Sequence, residues 1–125
     1  MKFLLDTHTL IWYFENDGKL SQMSEKAIDD PGNIIYVSTA TLWEIAIKIG
    51  IGKLDVNFDS LLKSLEVSEF LIVQTKNEYL QNLINLPKIH KDPFDRLLIA
   101  TAKTENMTLI TSDEDICKYD VECLI

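Results

Sequence analysis

The chain has 125 residues, 46% of them apolar and 26% charged, enough for one compact domain with its own core and too few for two ordinary ones. Twelve Lys plus Arg against twenty Asp plus Glu leave a net charge of −8, which excludes a protein that grips nucleic acid through a broad basic face. The same balance leaves room for carboxylates that hold divalent cations against phosphate. No apolar run approaches the ~20 residues of a membrane span, and Asp6 interrupts MKFLLDTH too early for a signal peptide. A cytoplasmic location with no membrane partner is expected.

In chain order, Lys2 to Leu5 predicts a short buried strand that stops at a carboxylate, Asp6. Leu10, Ile11 and Phe14 set a helical period over Thr9 to Glu15. Ser24, before Glu25, Lys26 and Ala27, predicts the N-cap of a short helix that ends ahead of Pro31-Gly32. Ile34 to Val37 is a second apolar run of strand length. Ser38 or Thr39 then caps a helix through Ala40, Leu42, Ile45, Ala46 and Ile49, ended by Gly50 or Gly52. Phe58 to Val67 predicts a helix, Phe70 to Val73 a strand, and Asn77 to Leu86 a helix stopped by Pro87. Asp92-Pro93 opens the clearest helix, with Asp92 as N-cap and Pro93 in the first turn, running to about Thr104. Met107 to Thr111 predicts a fourth strand and Val121 to Ile125 a short fifth. Cys117 and Cys123 form no C-x-x-C and have no histidine at zinc-ligand spacing, so they read as free thiols.

Short apolar strands alternating with helices predict a parallel sheet covered on both faces, with ligands outside the carboxyl ends of the strands. Asp6-Thr7, Ser38-Thr39 and Ser112-Asp113 follow three of the strands, so acids and hydroxyls gather at one edge. Four acids stand where solvation alone does not explain them. Asp6 ends an apolar strand; a helix N-cap would explain it equally well. Glu44 lies inside the largely apolar TLWEIAIKI, where it either pairs with Lys48 or serves a site; the site is preferred because a buried unpaired carboxylate costs several kcal/mol. Asp95 fits the first turn of a capped helix, yet it shares a stripe with Leu98, Ile99 and Ala102 that a cap does not require. Asp113 follows TLITS and is either a cap for Glu114 to Tyr119 or a fourth member, with Asp115 as the weaker competitor. Packed together, such carboxylates need a cation to stay ionised. Oxygen donors without paired His or Cys point to Mg²⁺ or Mn²⁺, and so to hydrolysis of a phosphate ester by water.

These segments carry a resemblance. FLLDTHTLIW, STATLWEIAIK, HKDPFDRLLIATA and MTLITSDED, in that order, resemble the PIN-domain ribonucleases and specifically the VapC toxins of bacterial type II toxin–antitoxin systems. The likeness covers essentially the whole chain. It implies a three-layer α/β/α domain over residues 1–125 with a central parallel sheet of four to five short strands. It also implies an endoribonuclease using one or two Mg²⁺ or Mn²⁺ ions, with Asp6, Glu44, Asp95 and Asp113 as the acidic metal-binding set. Thr7, Ser38 and Thr111 or Ser112 would be supporting polar neighbours, and RNA, a cognate antitoxin and a second copy of the chain would be partners.

Around that set, His8 and His90 read as structural or partner-facing rather than as ligands. Arg96 either holds RNA phosphate or pairs with Asp92, the ion pair being preferred. Lys48, Lys88 and Lys91 are candidate RNA contacts. Trp12, Tyr13, Phe14 and Trp43 read as core or dimer contacts rather than base-stacking platforms. Two other α/β architectures compete. A haloacid-dehalogenase-type phosphatase needs D-x-D-x-[TV] after the first strand, where this chain has His8 and Leu10. A phospho-receiver needs an Asp after its third strand, where Gln74-Thr75-Lys76 stand instead. A PIN fold that binds RNA without cutting is the third alternative.

Overall fold

The computed structural model describes residues 1–125. Five strands, β1 (Lys2–Leu5), β2 (Ile34–Ser38), β3 (Leu71–Val73), β4 (Thr108–Ile110) and β5 (Cys123–Leu124), form one sheet in the order β3-β2-β1-β4-β5. Every pairing is parallel: Leu5 lies opposite Val37 on one side and Ile110 on the other. The chain moves outward from β1 to β2 and β3, then returns to place β4 on the far side of β1. The strand order therefore reverses between β1 and β4, the kind of switch point at whose carboxyl end open α/β sheets place ligands.

Strand alternation divides the core between the two faces of the sheet. Phe3, Leu5, Ile35, Val37 and Ile110 point to one face, where α1 (Thr7–Glu15), α2 (Gln22–Asp29), α3 (Thr39–Gly50) and α4 (Phe58–Val67) supply Leu10, Ile28, Ile45 and Leu65. Leu4 and Leu109 point to the other, against Leu98, Ile99 and Ala102 of α6 (Pro93–Glu105), with α5 (Asn77–Ile84) packed alongside α6. Each fully buried Leu or Ile contributes roughly 1.5–3 kcal/mol relative to exposure. No helix is long and apolar enough to cross a membrane.

Capping fixes where the helices start. Asp92 Oδ1 accepts from the backbone N–H of Phe94 at 2.8 Å and of Asp95 at 3.0 Å, and Pro93 occupies the first turn, where a missing N–H does no harm. Asn106 then closes α6 in the left-handed region, at φ 55°. Two helix starts differ from expectation, and several strand ends shift by one or two residues. The first helix begins at Thr7 rather than Thr9, because Asp6 is its cap and accepts from Thr9 N–H at 2.9 Å. The second is capped by Ser21, not Ser24: Ser21 Oγ accepts the Ser24 N–H, and Ser24 lies buried inside the helix. Gly50 is the last residue of α3 and Gly52, at φ 74°, turns the chain away. Between β4 and β5 a single 3₁₀ turn, Ile116–Lys118, stands where Glu114 to Tyr119 was expected to be helical. Both cysteines are free thiols.

Candidate active site

Asp6 and Thr111 face each other across the switch in strand order. Thr111 Oγ1 donates to Asp6 Oδ2 at 2.6 Å and accepts the Asp113 N–H at 3.0 Å, so one hydroxyl ties the acid after β1 to the acid after β4. Asp6 is 4% exposed, and both of its oxygens accept hydrogen bonds, the other from Thr9 N–H. Capping and site placement are thus compatible: one carboxylate starts α1 and stands beside Thr111 at the carboxyl end of β1.

Glu44 is also buried. The Thr7 hydroxyl donates to its Oε1 at 2.5 Å, and Lys48 pairs with its Oε2 at 2.9 Å. The pairing with Lys48 considered from the sequence therefore exists, on a carboxylate that also faces the other acids. Lys48 is consequently half-committed to protein rather than a free cation for RNA.

Asp95 projects from the first turn of α6. Burial, followed by the charges of Asp92, Asp6 and Glu44, pushes its carboxyl up to about 7, and His90 offsets only part of this. The influence of Asp6 and Glu44 on Asp95 ties the acids of α1, α3 and α6 into one electrostatic unit. Asp113 and Asp95 meet at one histidine: His90 Nε2 lies 2.9 Å from Asp113 Oδ2 and 3.2 Å from Asp95 Oδ2. Donor atoms of His90, Asp95 and Asp113 all lie within 4.8 Å of one another, a spacing that fits a shared cation.

His90 is the residue that sequence reasoning placed outside the site. Burial pulls its pKa down, but the hydrogen bond to Asp113 and the charges of Asp95, Asp113 and Asp92 outweigh this and raise it. Its loop is pinned by Tyr119, whose hydroxyl oxygen accepts N–H bonds from Ile89 at 3.1 Å and His90 at 2.7 Å. The only sequence signal was the proximity of His90 to Asp92-Pro93.

Other candidates fall elsewhere. Ser38 caps α3 through Ala40 N–H, and Ser112 is exposed. Arg96 makes no ion pair with Asp92: its guanidinium donates to the carbonyls of Pro87 at 2.8 Å and Leu83 at 3.3 Å and to the Tyr119 hydroxyl. It staples the end of α5 to α6, which leaves little of it for RNA. Lys88 and Lys91 are exposed. His8 is exposed and stacks on Trp12, with ring centroids 5.5 Å apart. Trp43 is not a core residue; it is 62% exposed and meets Phe94 edge-on.

The PIN domain family model matches residues 3–122, nearly the whole chain. The chain belongs to the PIN domain family. Solved structures share this PIN fold at low identity. A chain of VapBC2 from Rickettsia felis, bound to a DNA fragment from their promoter, superposes with a TM-score of 0.74 at 17% identity, covering 99% of this chain and 98% of that one. DNA-bound VapBC from Salmonella typhimurium gives 0.69 at 16% identity, covering 99% and 97%. A toxin–antitoxin complex from Klebsiella pneumoniae gives 0.64 at 20%, covering 98% and 95%. No curated protein sequence matches the chain significantly.

Proposed function

We propose that this PIN domain is a divalent-metal-dependent endoribonuclease acting as the toxin of a toxin–antitoxin pair. The observation that carries the reading is the gathering of Asp6, Glu44, Asp95 and Asp113 at the carboxyl end of the sheet, where Thr111 links Asp6 to Asp113, the charges of Asp6 and Glu44 reach Asp95, and His90 and Lys48 are the cationic or proton-donating partners in contact. Family membership supports nuclease chemistry, and the likeness to chains of VapBC complexes supports the pairing with an antitoxin.

The donor set fits Mg²⁺ or Mn²⁺. The acids offer hard oxygens, and a carboxyl lifted to about 7 by burial and its acidic neighbours is one that a cation would return to the ionised form. Asp6, Asp95 and Asp113, with Glu44, would hold one or two ions. When bound, such ions supply Lewis acidity toward a phosphodiester and toward water. The chain's own part is orientation. Thr111 fixes Asp6 relative to Asp113, Thr7 fixes Glu44, and the α6 cap fixes Asp95 beside His90. A basic side chain from an antitoxin segment would find charge complementarity at the same acids, and a second copy of the chain is a further expected partner.

The test is end-mapping of total bacterial RNA incubated with purified protein and Mn²⁺ or EDTA, beside Asp95→Asn. New RNA ends that require both the metal and Asp95 are expected. Ends that persist in EDTA or in Asp95→Asn would remove this site. Intact Mn²⁺ binding with no cleavage after antitoxin removal would favour an RNA-binding module or a phosphatase.

A further inference from the structure

We infer that His90 is a positioning residue: a hydrogen-bond donor of fixed orientation that clips Asp95 and Asp113 together for the cation without ligating it. The inference rests on the metal-site reading above. His90 Nδ1 accepts the backbone N–H of Asp92 at 3.1 Å. A nitrogen that accepts a hydrogen bond carries no proton, so the neutral ring holds its proton on Nε2. Nε2 is the atom lying 2.9 Å from Asp113 Oδ2 and 3.2 Å from Asp95 Oδ2. Its lone pair is then not available to a metal ion, although the ring sits among the acids at ligand-like distances.

The surroundings hold this orientation from both sides. The Tyr119 hydroxyl accepts the His90 N–H, and Arg96 donates to the same hydroxyl at 3.3 Å, which anchors the loop against the α5–α6 junction. The Asp92 side chain caps α6 through Asp95 N–H while the Asp92 backbone N–H sets the ring. The residue that starts the helix bearing Asp95 thus also orients the imidazole that holds Asp95. Without the Nε2–H, the carboxyl groups of Asp95 and Asp113 would face each other without a shared donor to hold them in register. Hydrogen-bonding partners of metal-ligating carboxylates typically change affinity or activity by about 10–100-fold when removed.

Two measurements test this on the full chain. Nitrogen NMR of histidine-labelled protein in mildly alkaline solution, with His8→Asn to assign the signals, reads the His90 tautomer with and without Mg²⁺. The Nε2–H form is expected in both states. An Nδ1–H form in the metal-free protein, or loss of the Nε2 proton on adding Mg²⁺, would overturn the inference and make His90 a ligand. Mn²⁺ titration by electron paramagnetic resonance then compares His90→Ala with His90→Gln, whose side-chain amide restores an N–H donor. Affinity should fall about 10–100-fold in the first and stay close to wild type in the second. Equal losses in both, or none in His90→Ala, would sink the positioning role. If His90→Ala fails to fold, the NMR and His90→Gln decide. Wild-type Mn²⁺ affinity in Asp95→Asn would overturn the metal site and this inference with it, whereas failure confined to His90 overturns only the inference.

Discussion

The two ends of the sheet both carry acids, and they use them differently. At the amino end of the strands a surface cleft of about 620 Å³ is lined by Tyr13, Asp29, Asp30 and Glu69 among others. There the acids serve the framework: Tyr13 donates to Asp29 at 2.5 Å, joining α1 to α2, and Asp30 closes its own turn by accepting Gly32 N–H at 2.8 Å. These acids face solvent and need no common counter-charge. At the carboxyl end, Asp6 and Glu44 are buried and Asp95 is lifted to about 7 by burial and then by its acidic neighbours. Cleft size therefore does not locate the chemistry. What separates the two ends is whether the acids share one poorly solvated volume.

The sharpest way to break this contrast is a matched pair of isosteric neutralisations. Asp95→Asn should reduce metal-dependent RNA cleavage to background, while Asp29→Asn should leave the initial rate at the wild-type level. Comparable losses in both would mean that position on the sheet does not decide the role of an acid.

Thr111→Val comes next in size. It removes the donor to Asp6 and leaves the Asp113 N–H without its acceptor. Mn²⁺ affinity should weaken by about 10–100-fold, and urea unfolding should report a loss of about 1–3 kcal/mol. Unchanged affinity would show that Asp6 and Asp113 need no link between them.

The third expectation concerns pH. Between the ordinary Asp value of 3.8 and about 7, the folded metal-free protein holds a proton on Asp95 that the unfolded chain has released. Stability from this group is therefore complete below 3.8 and is lost as pH rises to about 7. Mn²⁺ affinity should rise across the same upper range, because the ion needs the ionised carboxylate. Unfolding curves for wild type and Asp95→Asn should diverge through this window; parallel curves would take the shift away from Asp95.

The smallest effect belongs to the other end of the sheet. Tyr13→Phe deletes the bond to Asp29 and should cost about 0.5–1.5 kcal/mol in urea unfolding, with RNA cleavage unchanged. A cleavage defect there would extend the functional surface to the amino end.

Much of this was readable along the chain because it is encoded within a few residues. An apolar run stopped by a carboxylate announced β1 and Asp6, and MTLITSD did the same for β4 and Asp113. Asp92-Pro93 marked the start of α6, and an acid on an apolar helical face marked Glu44 and Asp95. Local periodicity and capping determine these features, and the alternation of strands and helices determines a parallel sheet. Where the sequence was misread, two local signals competed: Ser21 and Ser24 are both capping residues, and only packing buries the second. Arg96 looked like a partner for Asp92, yet the tertiary fold presents it with the carbonyls of Leu83 and Pro87. The tertiary structure alone decided the bonds that tie Asp6 to Asp113 through Thr111 and Asp113 to Asp95 through His90. Thr111 and Asp6 are 105 residues apart, and His90 meets Tyr119 across 29. No local pattern records such contacts, because they exist only once β4 has returned to the side of β1 opposite β2.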